Sequence, residues 1–261
     1  MATLKEQFTI NFADGQFAPA MRIAPKGDPL RIIDVFNLIT PRPTIFISGG
    51  ASAMSDEDIE RTRILIDECI SVFAEEKKIT VIDGGTEAGV MDMIGDSRLN
   101  RNYKYPLIGV SPLQKVEWPG FSGSSAEAEL QNGHSHFVLV ESDEWGGETE
   151  MIVALTKAIA ARQAPMVGIL VNGGKIAERE AYMASAIGEN RMPLIIIDGS
   201  GRAADNISTA FKTQSTDSYL IRSIIKGADL RLTALYDGKE ALRKELDKVF
   251  HNWHEKGDVS G

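Results

Sequence analysis

The segment ITVIDGGTEAGVMDMIGD, residues 79–96, joins a short β-branched apolar run to a glycine-rich turn and then to a helical pattern. TIFISGGAS (44–52) and PLIIIDGSGR (193–202) repeat the same order. Glycine lets the backbone approach a ligand closely, and the free N–H groups of a first helical turn attract anions. Because parallel strands end at one edge of a sheet, the three turns predict a phosphate-binding cleft suited to a nucleotide.

Composition is that of an ordinary globular protein: 261 residues, 43% hydrophobic and 25% charged. The single cysteine, Cys69, excludes an intramolecular disulfide and a cysteine-based zinc cluster. The sequence contains neither a run of about 18 apolar residues nor a secretory leader pattern, so a cytoplasmic protein without its own membrane segment is expected. The net charge of −9 disfavours nucleic acid as a partner.

The strand and helix patterns alternate through most of the chain. Candidate strands occupy residues 44–48, 79–83, 106–110, 136–141, 165–171 and 193–198, and candidate helices occupy 56–77, 89–99, 148–162, 175–188 and 203–212. This alternation predicts an α/β fold, a Rossmann-like, doubly wound, mostly parallel sheet of about six to seven strands in a single main domain. We assign residues 1–40 to an N-terminal extension with a hairpin at Asp14-Gly15, 41–212 to the Rossmann-like domain and 213–261 to a C-terminal strand and helix cap.

Five ordered motifs carry a family resemblance: DGGTEAGVMDMIGD (83–96), PLIGVSP (106–112), NGHSHFVLVESD (132–143), APMVGILVNGG (164–174) and PLIIIDGSGRAAD (193–205). Together they resemble the N-terminal cytoplasmic domain of melastatin-type TRP channels, and so the prokaryotic LSDAT branch of the SLOG superfamily. Lonely-guy and DprA-like proteins are more distant members. The resemblance implies a sensor domain for ADP-ribose-like, NAD-derived or related nucleotides, with homo-oligomerisation and a separate effector protein as partner.

The turns supply the candidate ligand-binding residues. Gly84, Gly85 and Thr86 offer N–H groups and a hydroxyl, and the planar guanidinium of Arg202 suits either a phosphate or a surface pair with Asp205. The complete candidate set is Ser48, Gly49, Gly50, Gly84, Gly85, Thr86, Gly89, Gly146, Gly147, Thr149, Gly199, Ser200, Gly201 and Arg202. No cofactor and no metal ion is expected, since His134 and His136 share a strand face without a third ligand.

An enzymatic alternative rests on GGETE, residues 146–150. This segment is similar to the PGGxGTxxE motif of Lonely-guy phosphoribohydrolases, but Trp145 replaces the proline and the spacing is one residue shorter. That family's glutamate would fall at Ile152, which leaves Glu150 as a near neighbour. Residues 122–134 also lack the arginine that the family uses. We therefore expect a nucleotide sensor. The alternatives for Glu150 are the catalytic group of an N-glycosidic-bond hydrolase, an acceptor for a ribose hydroxyl, and a carboxylate stabilised at a helix N-terminus.

Overall fold

A computed structural model describes residues 5–251 and Trp253. The strands are β1 (Gln7–Asn11), β2 (Phe17–Ile23), β3 (Thr44–Gly49), β4 (Thr80–Asp83), β5 (Leu107–Pro112), β6 (Val116–Trp118), β7 (Phe121–Ser122), β8 (Ala128–Glu129), β9 (His136–Val140), β10 (Met166–Val171), β11 (Leu194–Asp198) and β12 (Leu230–Ala234). The helices are α1 (Pro29–Phe36), α2 (Asp56–Leu65), α3 (Ser71–Glu76), α4 (Gly89–Asn100), α5 (Thr149–Ala160), α6 (Lys175–Ser185), α7 (Arg202–Thr213), α8 (Tyr219–Gly227) and α9 (Gly238–Phe250). A π-helical segment, Ile66–Ile70, connects α2 to α3.

The main sheet of the described chain has the strand order β1-β2-β9-β5-β4-β3-β10-β11-β12. Its neighbours pair in parallel except for the antiparallel β1–β2 hairpin. From β3 the chain adds β4 and β5 on one side, whereas β10, β11 and β12 extend the sheet on the other side. The order therefore reverses between β3 and β10, and such a switch point opens a crevice at the carboxyl ends of the two strands.

The central strands are apolar along their whole length because helices cover both faces of the sheet. β3 and β10 are buried almost throughout. One apolar layer joins the sheet to α1, α5, α6, α7 and α8, and the other joins it to α2, α3, α4 and α9. Cys69 lies in the second layer and is 2% exposed, as its helical pattern predicts.

The doubly wound α/β prediction is confirmed, and all six candidate strands are present within a few residues of their predicted bounds. The sheet is wider than predicted because both flanking segments join it. β1 and β2 form an antiparallel hairpin around Asp14-Gly15, and β2 then pairs with β9. β12 pairs with β11, while Leu242, Leu246 and Phe250 of α9 are buried against the sheet.

Within residues 5–251 and Trp253, no helix combines the length and apolar character that crossing a bilayer requires.

Candidate functional site

A cavity of about 410 Å³ opens at the switch point between β3 and β10. Its wall combines glycines, two cations, two carboxylates and an apolar surface. The lining residues are Phe46, Ile47, Ser48, Gly49, Gly84, Thr86, Met91, Trp145, Glu148, Gly174, Lys175, Ile176, Ala177, Glu180 and Arg202. This volume lies within the range of natural small-molecule sites.

The first predicted turn is held close to β10. Gly49 has φ +142°, and a Cβ at this position would lie 1.9 Å from the carbonyl oxygen of Val171. Only glycine therefore allows β3 to end against β10 at the cavity. Gly50 follows in open space, where a Cβ would meet no atom within 4 Å.

A buried carboxylate, that of Asp83, holds the second turn in place. Asp83 Oδ1 accepts hydrogen bonds from the Gly85 N–H at 2.8 Å and lies 2.8 Å from His134 Nε2. Gly85 has φ +70°, and its Cβ position is 2.7 Å from the Cα of Gly109. Gly85 therefore packs against β5, while Gly84 and Thr86 face the cavity.

A fourth turn, Asn172-Gly173-Gly174, connects β10 to α6 and is absent from the predicted ligand-binding set. For the first three N–H groups of α6, those of Lys175, Ile176 and Ala177, the described residues supply no hydrogen-bond acceptor. Gly174, Lys175, Ile176 and Ala177 all line the cavity. The Gly-Gly-Lys sequence after a β-branched strand has the same pattern as the other turns, so the signal was available.

The third predicted turn is mainly structural. The N–H groups of Ala203 and Ala204 at the start of α7 donate to the carbonyls of Gly173 and Asn172, at 3.1 and 3.0 Å. Ser200 also accepts a hydrogen bond from the Asn172 N–H at 2.7 Å. The turn therefore supports the β10–α6 connection instead of presenting its own N–H groups to a ligand.

Arg202 is the one residue of this turn that lines the cavity. The alternative pair with Asp205 does not form, since Asp205 Oδ1 accepts from the Gly199 N–H at 2.7 Å. In the described part of the chain, neither Arg202 nor Lys175 forms a salt bridge or donates a side-chain hydrogen bond. Two exposed cations without a protein anion therefore stand at the rim of the cavity in a chain of net charge −9.

Two buried carboxyl groups also line the cavity, and the sequence analysis identified neither. Glu148 is 5% exposed and Glu180 is 7% exposed. Burial raises the pKa of Glu148 to about 7 and that of Glu180 to about 8. Glu150, the sequence candidate, is exposed and lies outside the lining set. Glu180 could have been noticed, because it shares the buried side of α6 with Ala177, Ala181 and Ala184.

The structure places five of the predicted ligand-binding residues at the cavity: Ser48, Gly49, Gly84, Thr86 and Arg202. The others lie outside its lining: Gly50, Gly85, Gly89, Gly146, Gly147, Thr149, Gly199, Ser200 and Gly201. Several support it, as Gly146 does by donating its N–H to Glu148 Oε2 at 2.9 Å.

Four of the helices that begin at this edge share one property, which α2, the helix that follows β3, does not have. α4, α5, α6 and α7 have no side-chain N-cap, whereas Ser55 caps α2 and Ser218 caps α8. Uncapped N-termini leave partial positive charge that an anion can satisfy. At α7, carbonyl groups of the β10–α6 connection already accept hydrogen bonds from two of the N-terminal N–H groups. The N-terminus of α6 is therefore the more open of the two to an anion in the cavity.

Comparisons with known proteins identify the family. The family model described as "SLOG in TRPM, prokaryote" matches residues 42–241. The Drosophila melanogaster protein "Transient receptor potential cation channel trpm" is 26% identical, with 94% of this chain and 14% of that protein covered. A Caenorhabditis elegans "Transient receptor potential channel" is also 26% identical, with 88% of this chain and 13% of that protein covered.

The chain thus spans a small fraction of each of these two relatives, 13% to 14% of their length. The family model, in contrast, covers well over half of the chain. The chain therefore belongs to the family described as SLOG in TRPM, prokaryote.

Proposed function

We propose that the protein is a sensor that binds an anionic nucleotide, of the ADP-ribose-like or NAD-derived class, in the cavity between β3 and β10. The observation that carries the proposal is the uncapped N-terminus of α6 beside two cations without protein partners. Backbone N–H groups and a helix dipole stabilise a phosphate at such a position.

The phosphate position follows from the donors. The N–H groups of Lys175, Ile176 and Ala177 lack acceptors in the described chain, and Gly174 leaves the approach open. The Arg202 guanidinium lies near Gly174, since a Cβ there would be 3.1 Å from Arg202 Nη2. A planar guanidinium can bind two phosphate oxygens at once, and the Lys175 ammonium adds a second charge.

The apolar part of the cavity suits the heterocyclic base of a nucleotide. Phe46, Ile47, Met91, Trp145 and Ile176 supply aromatic and aliphatic surface. Trp145 is oriented by a hydrogen bond from its Nε1–H to Glu127 Oε2 at 2.7 Å. A fixed indole can stack on a planar heterocycle without losing further conformational freedom.

The relatives are named as cation channels, and this chain matches only a small part of each. Our proposal therefore assigns to the protein the detection of a nucleotide and not the conduction of ions. Transmission of the signal in this proposal uses a homo-oligomer and a separate effector protein in the cytoplasm.

One observation favours a second candidate, hydrolysis of a nucleotide N-glycosidic bond. Glu148, and not Glu150, is the α5 carboxyl in the cavity, and its pKa of about 7 suits transfer of a proton to a leaving base. The same cavity would then bind the nucleotide and cleave it.

A ligand screen separates the two functions. Thermal shift and calorimetry with ADP-ribose, cyclic ADP-ribose, NAD and AMP, followed by chromatography of each mixture, test binding and turnover together. A ligand that binds and is recovered intact supports the sensor. Released base supports the hydrolase, and no shift with any of these ligands contradicts both.

A further inference from the structure

Two carboxyl groups enter the cavity from neighbouring helices. Glu148 immediately precedes α5, and Glu180 lies in the second turn of α6. Both belong to the lining set and both are almost fully buried. They are therefore available to a ligand in the cavity and poorly available to bulk water.

The protein satisfies these carboxyl groups only in part. Glu180 Oε2 accepts a hydrogen bond from Ser48 Oγ at 2.5 Å, and Glu148 Oε2 accepts from the Gly146 N–H at 2.9 Å. Among the described residues, no salt bridge reaches either carboxyl. Within the described chain, no side-chain donor reaches their second oxygens, so these acceptors are available to a hydrogen-bond donor of a ligand in the cavity.

The other groups in the cavity limit which part of a ligand could donate a hydrogen bond to Glu148 and Glu180. A phosphate offers oxygen acceptors and negative charge, so it is drawn to Lys175 and Arg202 and supplies no donor to the carboxyl oxygens of Glu148 and Glu180. In the described chain, no cluster of three metal-ligating side chains is present to make the carboxyls a cation site. The remaining groups of a phosphorylated ligand that donate hydrogen bonds are sugar hydroxyls and amino groups of a base.

Sugar hydroxyls match the arrangement better than a base amine. The glycine turn that ends at Gly174 and the carboxyl of Glu180 belong to the same α6 segment, so a phosphate at the helix N-terminus lies within two turns of Glu180. The group next to the phosphate in a nucleotide is its ribose, whereas the base lies farther away, where the apolar wall is available. Two neighbouring carboxyl groups can each accept a hydrogen bond from one hydroxyl of a vicinal diol.

We propose that Glu148 and Glu180 form a ribose-recognition pair that selects ligands with a free vicinal diol over their 2-deoxy counterparts. This inference rests on the proposed nucleotide function and assigns the ligand class of that same cavity. Ser48 is a positioning residue in this account, because its hydroxyl orients Glu180.

The experiment compares ribose 5-phosphate with 2-deoxyribose 5-phosphate, two probes without a base, by calorimetric titration of the full chain. A lost hydrogen bond to a carboxyl group predicts roughly tenfold weaker binding of the deoxy sugar. Glu148→Met and Glu180→Met, which keep volume but remove the acceptors, are expected to abolish most of this preference. Gln at the same positions retains an acceptor and should restore part of it.

Glu150→Met is the matched control, since Glu150 lies two residues after Glu148, is exposed and does not line the cavity. This variant should keep the full ribose preference. Equal binding of the two sugars by the unmodified protein, or a preference that survives in both Met variants, overturns the inference. A preference for AMP over IMP without any ribose preference assigns the carboxyls to a base amine and also overturns it.

Failure of the proposed function gives a different result. If neither sugar phosphate nor any nucleotide binds, both the function and the ribose pair are wrong. If phosphate-bearing ligands bind and depend on Lys175 and Arg202 but show no ribose preference, only the ribose pair is wrong.

Discussion

His134 Nε2 lies 2.8 Å from Asp83 Oδ1, and both side chains are fully buried. The same Asp83 oxygen accepts the Gly85 N–H, so one carboxylate at the end of β4 contacts both the turn at the cavity and the segment that leads into β9, which lies beyond β5 in the sheet. On its other side, His134 Nδ1 lies 3.2 Å from the Gln131 carbonyl oxygen.

Asp83→Asn should therefore destabilise the fold. Asp83 Oδ1 serves both donors, and Oδ2 has no partner among the described residues. The amide keeps one acceptor oxygen, but it loses the negative charge and places a buried NH2 group without an acceptor at the Oδ2 position, so the expected loss in the free energy of unfolding is roughly 1–3 kcal/mol. Urea unfolding measures it. Asp92→Asn, on a half-exposed position of α4, is the control and should change little; equal stability of the two variants would show that the buried pair contributes nothing.

Gly49 and Gly50 offer a paired test of the first turn. Gly49→Ala forces a methyl group to within 1.9 Å of the Val171 carbonyl, so destabilisation at or above the roughly 1–3 kcal/mol of an overpacked site is expected. Gly50→Ala places its methyl in open space and should be nearly neutral. Thermal unfolding of both variants decides the matter, and similar melting temperatures would contradict the assigned geometry.

Gly85 is a poor position at which to test ligand binding alone. A side chain there meets the Gly109 backbone at 2.7 Å, and φ is +70°. Gly85→Val is therefore expected to lower the free energy of unfolding together with any affinity. A folded Gly85→Val protein of unchanged stability, measured by urea unfolding, would refute this packing argument.

The cavity carboxyls should give the protein a specific dependence of stability on pH. Burial raises the pKa of Glu148 to about 7 and of Glu180 to about 8, above the ordinary 4.5. Between 4.5 and these values the folded state binds more protons than the unfolded state, so stability falls as pH rises through that window. Above the raised values both states are ionised and the fall ends.

The causes that act on Glu180 besides burial are the Ser48 hydrogen bond and the charge of Arg179, which lower its pKa, and the charges of Glu148 and Asp83, which raise it. Glu148→Gln and Glu180→Gln remove the titrating groups, so each variant should lose less stability than the unmodified protein between pH 5 and pH 9. Urea midpoints at the two pH values provide the measurement. Identical slopes in all three proteins would contradict the assigned burial.

Trp145 should affect only ligands that carry a base. Trp145→Ala removes the indole surface of the cavity, and we expect roughly threefold to tenfold weaker binding of AMP. Ribose 5-phosphate should bind this variant as it binds the unmodified protein. Parallel losses for both ligands in calorimetry would show that the indole supports the cavity as a whole and does not stack on a base.

The fold could be predicted from the sequence because its signals are local. β-branched runs, glycine turns and amphipathic helices each follow from neighbouring residues, and the parallel order follows from their alternation. The inclusion of β2 and β12 in the sheet could not be foreseen, since strand pairing across the chain depends on which edge remains open. The sequence therefore predicts individual strands and helices more reliably than it predicts how many strands join one sheet.

A cavity lies at the sheet edge where the glycine turns were predicted, and its lining includes only some of the predicted residues. Turns were recognised by glycine content, which does not distinguish an N–H group open to a ligand from one bonded to a neighbouring loop, as at Ala203 and Ala204. Glu148 and Glu150 are two residues apart, and only the direction of the chain at the start of α5 decides which carboxyl enters the cavity. That direction is set by the αR conformation of Glu148 and the positive φ of Gly146, which are tertiary outcomes.

The most direct test is a calorimetric titration of ADP-ribose into the unmodified protein and into the Lys175→Gln/Arg202→Gln double variant, with Lys226→Gln as the control for loss of a positive charge outside the cavity. Lys226 is exposed near the end of α8 and lies outside the cavity. The account predicts saturable binding that the double variant weakens at least roughly tenfold while the control and the thermal stability stay unchanged. No binding to the unmodified protein, or equal affinities in all three proteins, would contradict it.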